Sequence, residues 1–181
     1  SAERANGLED DLPTNLCQAR SSPLHVAHAM NVEMFNNTAT QRDIETIEKD
    51  GIIISGPDLG EQACGEVGIG RIIHFDSMML DIKKIISPQI FSNKKILISS
   101  GATLEKIDEA RAITNLSSGL MGLNLAKMAY TMGAEVTVIS GHSNYEFPPC
   151  IKTLKAMNHD EMSHSISSHI EKNDIYISAA A

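Results

Sequence analysis

The hydrophobic pattern of residues 94–178 predicts strands alternating with helices. Short apolar runs bounded by turn residues, typical of buried strands, occupy residues 94–99, 136–140, 151–156 and 174–178. Residues 117–132 and 159–173 have helical periodicity instead. In the first of these helices we expect an N-cap at Ser117 or Ser118 and a stop at Gly133. Its apolar face is expected to consist of Met121, Leu125, Met128 and Met132.

The front half repeats this theme on a smaller scale. Residues 38–51 predict a helix with Ile44 and Ile47 on its inner face, followed by a strand over residues 52–55 and a turn. A second helix over residues 76–86 would bury Met79, Ile82, Ile85 and Ile86. Pro88 and the polar residues after it indicate a domain boundary near residue 90. The pattern therefore predicts two Rossmann-like α/β units with a mainly parallel sheet.

Two segments between these elements are unusual. Residues 60–71 contain four glycines and Cys64, and this density of glycine favours a loop over a helix or a strand. Residues 99–122 form a long strand-to-helix connection that matches neither GxGxxG nor the P-loop pattern. A connection this long is usually functional. At its end, the backbone N–H groups of Ser117, Ser118 and Gly119 would favour an anion.

Composition excludes several classes of protein. The 181 residues carry a net charge of −8 with a pI near 5.3, which argues against nonspecific nucleic-acid binding. The sequence has no run of 18 apolar residues and no basic-then-apolar start, so we expect a cytoplasmic protein without a membrane span. Three widely spaced cysteines favour reduced thiols. Histidines 159, 164 and 169 do not share a helical face, which disfavours a metal site.

Several consecutive motifs carry a specific resemblance. AMNVEMF, GPDLGEQACGEVGIGR, ISSGATLEKIDEARAITNLSSGLMG, AEVTVISG and DIYISAAA occur in the order found in the bifunctional proteins of coenzyme A biosynthesis. In that family a flavodoxin-like phosphopantothenoylcysteine decarboxylase is fused to a phosphopantothenate–cysteine ligase. The resemblance implies that residues 1–90 are the C-terminal part of the decarboxylase. It implies that residues 91–181 are the N-terminal part of the ligase.

The same resemblance implies the chemistry. The ligase would use CTP with Mg²⁺ to join 4'-phosphopantothenate to cysteine, and the decarboxylase would use FMN to convert phosphopantothenoylcysteine to 4'-phosphopantetheine. It also implies a homo-oligomer, with trimeric contacts in the decarboxylase part and dimeric contacts in the ligase part. The family's catalytic histidine and triphosphate-contacting lysine match no position here. We therefore expect both active sites of this chain to be incomplete.

Matching positions give the candidate site residues. Asn31 resembles the asparagine that holds the substrate carboxylate, although a lone asparagine before a helix is more often a cap. Cys64 resembles the proton-donating cysteine of a mobile flap, the alternative being a packing residue. Asn115 resembles the residue that contacts the acyl-cytidylate, the alternative being a turn or cap, and Arg111 resembles part of the loop that reaches across the ligase dimer. The CTP site would be lined by Gly101, Ser178, Ala179 and Ala180.

Two positions depart from the family pattern. His28 stands where the family has proline, and Leu120 replaces a lysine in the SSGLMG motif. Other classes of function also stay open at this point. One is a non-catalytic flavin- or nucleotide-binding module, and another is a regulatory relative of the flavoprotein decarboxylases.

Overall fold

The computed structural model describes residue 7, residues 12–61 and residues 67–181. Contacts between residues divide the chain into two units, Ser1–Met78 and Met79–Ala181. This division precedes the expected boundary near residue 90. The reason is that the end of the helix over Phe75–Ile86 packs within the second unit. No helix in the described ranges is both long and apolar enough to span a bilayer.

The first unit contains a parallel strand pair, an antiparallel hairpin and short helices. Its elements are α1 (Leu12–Gln18), β1 (His25–Ala27), α2 (Val32–Asn36), α3 (Thr38–Lys49), β2 (Ile53–Ser55), β3 (Asp58–Glu61) and β4 (Val67–Arg71). β1 pairs with β2 in parallel, and β3 pairs with β4. The prediction for α3 is confirmed, with Ile47 buried and the chain leaving the helix at Gly51, whose φ is +79°.

The hairpin corrects the prediction of a loop over residues 60–71. Gly60 lies in β3, and Gly68 and Gly70 lie in β4. A Cβ at Gly60 would lie 2.8 Å from Arg71 Cδ, and one at Gly68 would lie 2.6 Å from Val32 Cγ2. Glycine therefore allows a side chain to approach closely at both positions, from the paired strand β4 at Gly60 and from α2 at Gly68. Cys64 lies outside the described residues.

The second unit is a four-stranded parallel sheet with helices on both faces. Helix α4 (Phe75–Ile86) begins in the first unit, and its end from Met79 onward belongs to the second. The other elements of the second unit are β5 (Lys95–Gly101), β6 (Leu104–Lys106), β7 (Ala112–Thr114), α5 (Leu120–Thr131), β8 (Glu135–Ser140), β9 (Lys152–Lys155), α6 (His159–His169), a 3₁₀ turn (Ile170–Lys172) and β10 (Ile175–Ala180). The strand order is β10-β5-β8-β9, and each neighbouring pair is parallel. The predicted α/β class with a mainly parallel sheet is confirmed.

Alternating side chains of β5 pack into two apolar clusters, one on each face of the sheet. Ile96 and Ile98 pack with Ala126 and Ala129 of α5. Leu97 packs on the opposite face with Met162 of α6. This alternation buries both faces of the sheet, as expected for a parallel sheet covered by crossover helices.

The inner faces of α4 and α5 differ from the prediction. In α4 the buried residues are Ser77 and Leu80, whereas Ile86 is 77% exposed. In α5 the buried face carries Gly122, Leu123, Ala126 and Ala129, and Met121 is 71% exposed. A Cβ at Gly122 would lie 2.1 Å from Ser100 Oγ. The helix therefore approaches the sheet through small residues, which leaves the long methionines Met121 and Met128 outside.

The long connection over residues 99–122 is also more regular than predicted. It contains an antiparallel hairpin, β6 and β7, with Leu104 opposite Thr114 and Lys106 opposite Ala112. Backbone pairing within the hairpin supplies the hydrogen bonds that an irregular loop of this length would lack.

Candidate functional site

The carboxyl edge of the four-stranded sheet carries the best-defined candidate site. From β5 the chain crosses to β8 on one side, and β10 returns to the other side of β5. The strand order therefore changes direction between β5 and β10, and open α/β sheets bind ligands at the carboxyl edge of such a position.

Gly101 closes β5 at this edge. The N–H of Ala102 donates to His142 O at 2.9 Å, and the N–H of His142 donates to Ala102 O at 2.8 Å. A Cβ at Gly101 would lie 2.4 Å from the same His142 carbonyl oxygen, and its φ is +83°. Glycine is therefore required both for the left-handed backbone and for the close approach of the loop after β8.

A cleft of ≈330 Å³ opens at this edge between the sheet and α6. Ser99 Oγ and Tyr176 Oη lie 3.1 Å apart at its wall. Its polar lining consists of Ser99, Thr103, His159, Ser163, Ser167, Tyr176 and Ser178. Hydroxyl groups that both donate and accept suit a polar ligand such as a base or sugar.

Only part of the predicted CTP lining faces this cleft. Ser178 and Ala180 line it, whereas Ala179 and Gly101 are not among its lining residues. Successive residues of β10 point to opposite faces, so Ala179 faces the α5 side. The prediction missed Ser99 and Tyr176, which share this face with Ser178. The sequence shows which residues alternate along each strand, but it does not show that β5 pairs with β10.

The start of α5 differs from the predicted cap. The N-cap is Gly119, with φ +78° and no side-chain cap, instead of Ser117 or Ser118. The Ser118 carbonyl accepts hydrogen bonds from Ser143 Oγ at 3.2 Å and from Asn144 N at 3.1 Å. Leu120, at the position of the family's lysine, is 43% exposed. The first backbone N–H groups of α5 have no intrahelical acceptor, which is the arrangement that favours anions.

The β6–β7 hairpin carries the other two ligase candidates. Arg111 Nε donates to Asp108 Oδ2 at 2.7 Å, within the turn of the hairpin. This hydrogen bond is the main cause that lowers the pKa of the exposed Asp108 carboxyl. Asn115 follows β7 and is exposed, and its side chain forms no hydrogen bond to another residue in the described part of the chain. Neither Arg111 nor Asn115 lines the cleft.

In the first unit, Asn31 lies just after the carboxyl end of β1. Its Oδ1 accepts the N–H of Glu33 at 2.8 Å and so caps α2. The cap fixes the side chain but leaves both alternatives for Asn31 open. His28 is buried, and desolvation lowers the pKa of its imidazole. Its Nδ1 has no hydrogen-bond partner among the described residues.

Each half of the chain matches a known protein family. Residues 91–181 match the family described as DNA/pantothenate metabolism flavoprotein C-terminal domain, and residues 2–87 match the family described as Flavoprotein. The chain is 40% identical over 180 residues to the coenzyme A biosynthesis bifunctional protein CoaBC of Vibrio parahaemolyticus, covering 99% of this chain and 45% of that relative. Against the CoaBC protein of Escherichia coli (strain K12) it is 35% identical over 188 residues, with the same coverage.

A solved structure of the C-terminal domain of a CoaBC protein is also similar. It aligns with a TM-score of 0.50 and 37% identity, covering 52% of this chain and 48% of that one. The chain thus spans about 45% of the length of the curated relatives that it matches.

Proposed function

Because this chain belongs to the DNA/pantothenate metabolism flavoprotein family, among the bifunctional proteins of coenzyme A biosynthesis, we propose that it contributes to two successive reactions of that pathway. Its second unit would supply part of a CTP-dependent phosphopantothenate–cysteine ligase, and its first unit part of an FMN-dependent phosphopantothenoylcysteine decarboxylase. The observation that carries the proposal is the hydroxyl-lined cleft at the carboxyl edge of the sheet.

For the ligase reaction, CTP would lie at the carboxyl edge of β5 and β10. Ser178 and Ala180 would contact it in the cleft, and the N-terminal amides of α5 would favour its phosphates. Within the described ranges, no three His, Cys, Asp or Glu side chains converge. The Mg²⁺ that accompanies CTP would be held mainly by the triphosphate and water, as is usual for this ion.

The ligase chemistry has two steps. A carboxylate oxygen of 4'-phosphopantothenate attacks the α-phosphorus of CTP, forming the acyl-cytidylate and releasing pyrophosphate. The amine of cysteine then attacks the acyl carbon, forming the amide and releasing CMP. The exposed amide of Asn115 can donate to this intermediate without adding charge, which is the property that a negatively charged phosphate requires.

For the decarboxylase reaction, the described part of the first unit offers only some contacts. The carboxyl ends of β1 and β2 lie side by side, and the buried Nδ1 of His28, which has no hydrogen-bond partner among the described residues, follows β1 directly. This edge of the strand pair would contact the flavin or its substrate. FMN, when bound, supplies the two-electron oxidation and reduction that this decarboxylation needs. Asn31 would orient the substrate carboxylate, and the thiol of Cys64 would supply a proton to the decarboxylated product.

The ligase half supports an oligomer. Around the hairpin, Ile107 is 57% exposed, Ile113 is 65% exposed and Leu116 is fully exposed. Apolar side chains this exposed on a projecting hairpin suit burial against a second copy, with Arg111 at the contact. A mass above that of the monomer for the 181-residue chain in light scattering, lowered by Ile113→Asp, would support this arrangement. A monomer at all concentrations would contradict it.

Blocking the cleft tests the nucleotide site. Ser163 and Ser168 are exposed serines of α6, and only Ser163 lines the cleft. We expect Ser163→Tyr to weaken CTP binding about tenfold or more in equilibrium titrations. The matched variant Ser168→Tyr should bind CTP like the unmodified chain. Equal affinity in both variants would remove CTP from this cleft.

The decarboxylase half is tested through Cys64 in a complete protein. A serine hydroxyl is a much weaker acid than a thiol, so Cys64→Ser should still release CO₂ but yield little 4'-phosphopantetheine. Product analysis by mass spectrometry would show the unprotonated, oxidised product accumulating. A normal yield of 4'-phosphopantetheine would show that Cys64 is not the proton donor, and it would leave the ligase assignment unaffected.

A further inference from the structure

A second, larger cleft lies at the amino edge of the four-stranded sheet. It has a volume of ≈530 Å³, and Lys95, Glu135 and Lys152 line it where β5, β8 and β9 begin. Gly101 lies six positions after Lys95 in β5, which corresponds to about 20 Å along the strand. This amino-edge cleft is therefore distinct from the cleft at the carboxyl edge.

The charge of the amino-edge cleft is opposite to that of the chain. Three lysines, Lys84, Lys95 and Lys152, and one acidic residue, Glu135, line it, whereas the whole chain has a net charge of −8. Lys95 Nζ is 3.9 Å from Glu135 Oε2, but both side chains are more than half exposed, so this pair is weak. Lys152 forms no ion pair with any described residue. A cationic cleft on an acidic protein attracts anions selectively.

Lys84 and Tyr130 form one wall of the cleft, and a cation–π contact and a hydrogen bond hold them in place. Lys84 Nζ lies 4.2 Å from the centroid of the Tyr130 ring. The Tyr130 hydroxyl in turn donates to Asp81 Oδ1 at 2.5 Å. Burial raises the pKa of the Tyr130 phenol, so the phenol stays protonated at physiological pH and keeps its hydrogen bond to Asp81. The ring offers an apolar surface beside the fixed ammonium group.

We propose that the amino-edge cleft binds a small organic phosphate carrying at least two negative charges. The ammonium groups of Lys84, Lys95 and Lys152 would hold the phosphate groups, and the Tyr130 ring would contact the organic part. Lysines from separate elements act as point charges, which suits tetrahedral phosphates better than the planar, bidentate geometry that arginine provides for carboxylates. The cleft volume lies within the usual range for small-molecule sites. This site goes beyond the proposed function and does not rest on it.

Lysines at the two ends of β9 provide a matched test. Lys152 lines the cleft, whereas Lys155 ends the same strand and does not. Fructose 1,6-bisphosphate serves as the probe, titrated into the 181-residue chain at constant ionic strength and followed by amide chemical shifts. We expect saturable shifts at residues 130–136 and 150–152. Lys152→Gln should weaken binding about tenfold, as expected for losing a charge-assisted hydrogen bond to phosphate.

The controls separate a site from general electrostatics. Lys155→Gln removes the same charge and should change the affinity less than about twofold, since exposed charges far from the ligand are screened by salt. Lys84→Gln should weaken binding as Lys152→Gln does. Equal weakening by Lys155→Gln and Lys152→Gln, or shifts that do not saturate, would overturn the proposal. Equally tight binding of citrate would overturn its assignment to phosphates.

Cys150 gives a second readout that does not depend on any enzyme activity. Cys150 is one of the residues that line the same cleft. Bound fructose 1,6-bisphosphate should slow alkylation of Cys150 by iodoacetamide, measured on its peptide by mass spectrometry, while alkylation of Cys17 stays unchanged. An unchanged Cys150 rate at saturating probe would place the ligand elsewhere and overturn the proposal.

Discussion

The phenol of Tyr130 donates a hydrogen bond to the carboxylate of Asp81, with 2.5 Å between Oη and Oδ1. Tyr130 lies near the end of α5, and Asp81 lies in the part of α4 that belongs to the second unit. The bond therefore fixes the end of α4 to a helix that packs on the sheet. Because the acceptor is charged and the pair is partly buried, this hydrogen bond is stronger than an average one.

Tyr130→Phe removes the donor and leaves the Asp81 carboxylate with one partner fewer. We expect this change to lower the free energy of unfolding by about 1.5–3 kcal/mol, the usual range for a hydrogen bond to a charged group. Urea denaturation monitored by circular dichroism measures it. Tyr145→Phe is the control, because Tyr145 is 41% exposed and its hydroxyl forms no hydrogen bond to another described residue. Equal losses in the two variants would contradict a specific role for the bond.

The same hydroxyl predicts how stability depends on alkaline pH. Burial is the largest cause that raises the pKa of Tyr130, and the hydrogen bond to Asp81 raises it further. The unfolded chain then releases this proton near pH 10, before the folded chain does. The contribution of Tyr130 is therefore fully present below pH 10, and it falls above that pH by at most about 1.4 kcal/mol per pH unit.

Comparing the two proteins isolates this group from the lysines and the other tyrosines. Between pH 9 and pH 11, stability should fall more steeply in the unmodified chain than in Tyr130→Phe. Urea midpoints at each pH provide the measurement. Parallel pH profiles would show that Tyr130 ionises in the folded protein as it does in the unfolded one.

The strand and helix order of the second unit follows from local pattern, because its strands contain short apolar or β-branched runs and Gly133, with φ +97°, ends a helix. The inner face of α5 does not follow from it. Gly122 and Ala126 are buried there because the helix lies close to the sheet, and only the tertiary structure sets that distance. Likewise, glycines in β3 and β4 predict a loop when judged by local backbone freedom alone.

The candidate sites, like the fold, follow from the sequence only in part. The resemblance proposes Ser178 and Ala180 for the CTP site, and both line the cleft at the carboxyl edge, but Ser99 joins them only through the pairing of β5 with β10. The amino-edge cleft was not predicted at all. Lys95 and Lys152 begin strands that are far apart in sequence, and the strand order brings them to one edge, where Lys84 of α4 joins them.

Gly101→Ala tests the close approach at the end of β5, with Gly51→Ala as its matched control. Both glycines have φ near +80°, so alanine costs about 1–2 kcal/mol of backbone strain at either position. At Gly51 the new Cβ meets nothing within 4 Å, whereas at Gly101 it would lie 2.4 Å from His142 O. We expect Gly101→Ala to lower the free energy of unfolding clearly more than Gly51→Ala does. Thermal unfolding of both variants decides this, and equal losses would mean that the loop after β8 moves aside freely.

Asn115 provides the sharpest test of the ligase proposal, because the structure weakens its alternative. The N-cap of α5 is Gly119, and the Asn115 side chain forms no hydrogen bond within the described ranges, so a capping role has no support in the geometry. In a complete protein, Asn115→Asp would place a carboxylate beside the phosphate of the acyl-cytidylate. Asn115→Ala would remove the amide without adding charge.

Repulsion adds to the lost donor only in the aspartate variant. Loss of one preorganised donor costs about 10²–10³ in rate, so we expect Asn115→Ala to slow consumption of the acyl-cytidylate within that range and Asn115→Asp to slow the overall reaction further. The dissociation constant for CTP should stay unchanged in both variants, because Asn115 lies outside the cleft that Ser178 lines. Rapid-quench trapping of the acyl-cytidylate measures its formation and consumption separately. If both rates match the unmodified enzyme in Asn115→Asp, the residue takes no part in the reaction, and the hairpin serves only to connect β5 with α5.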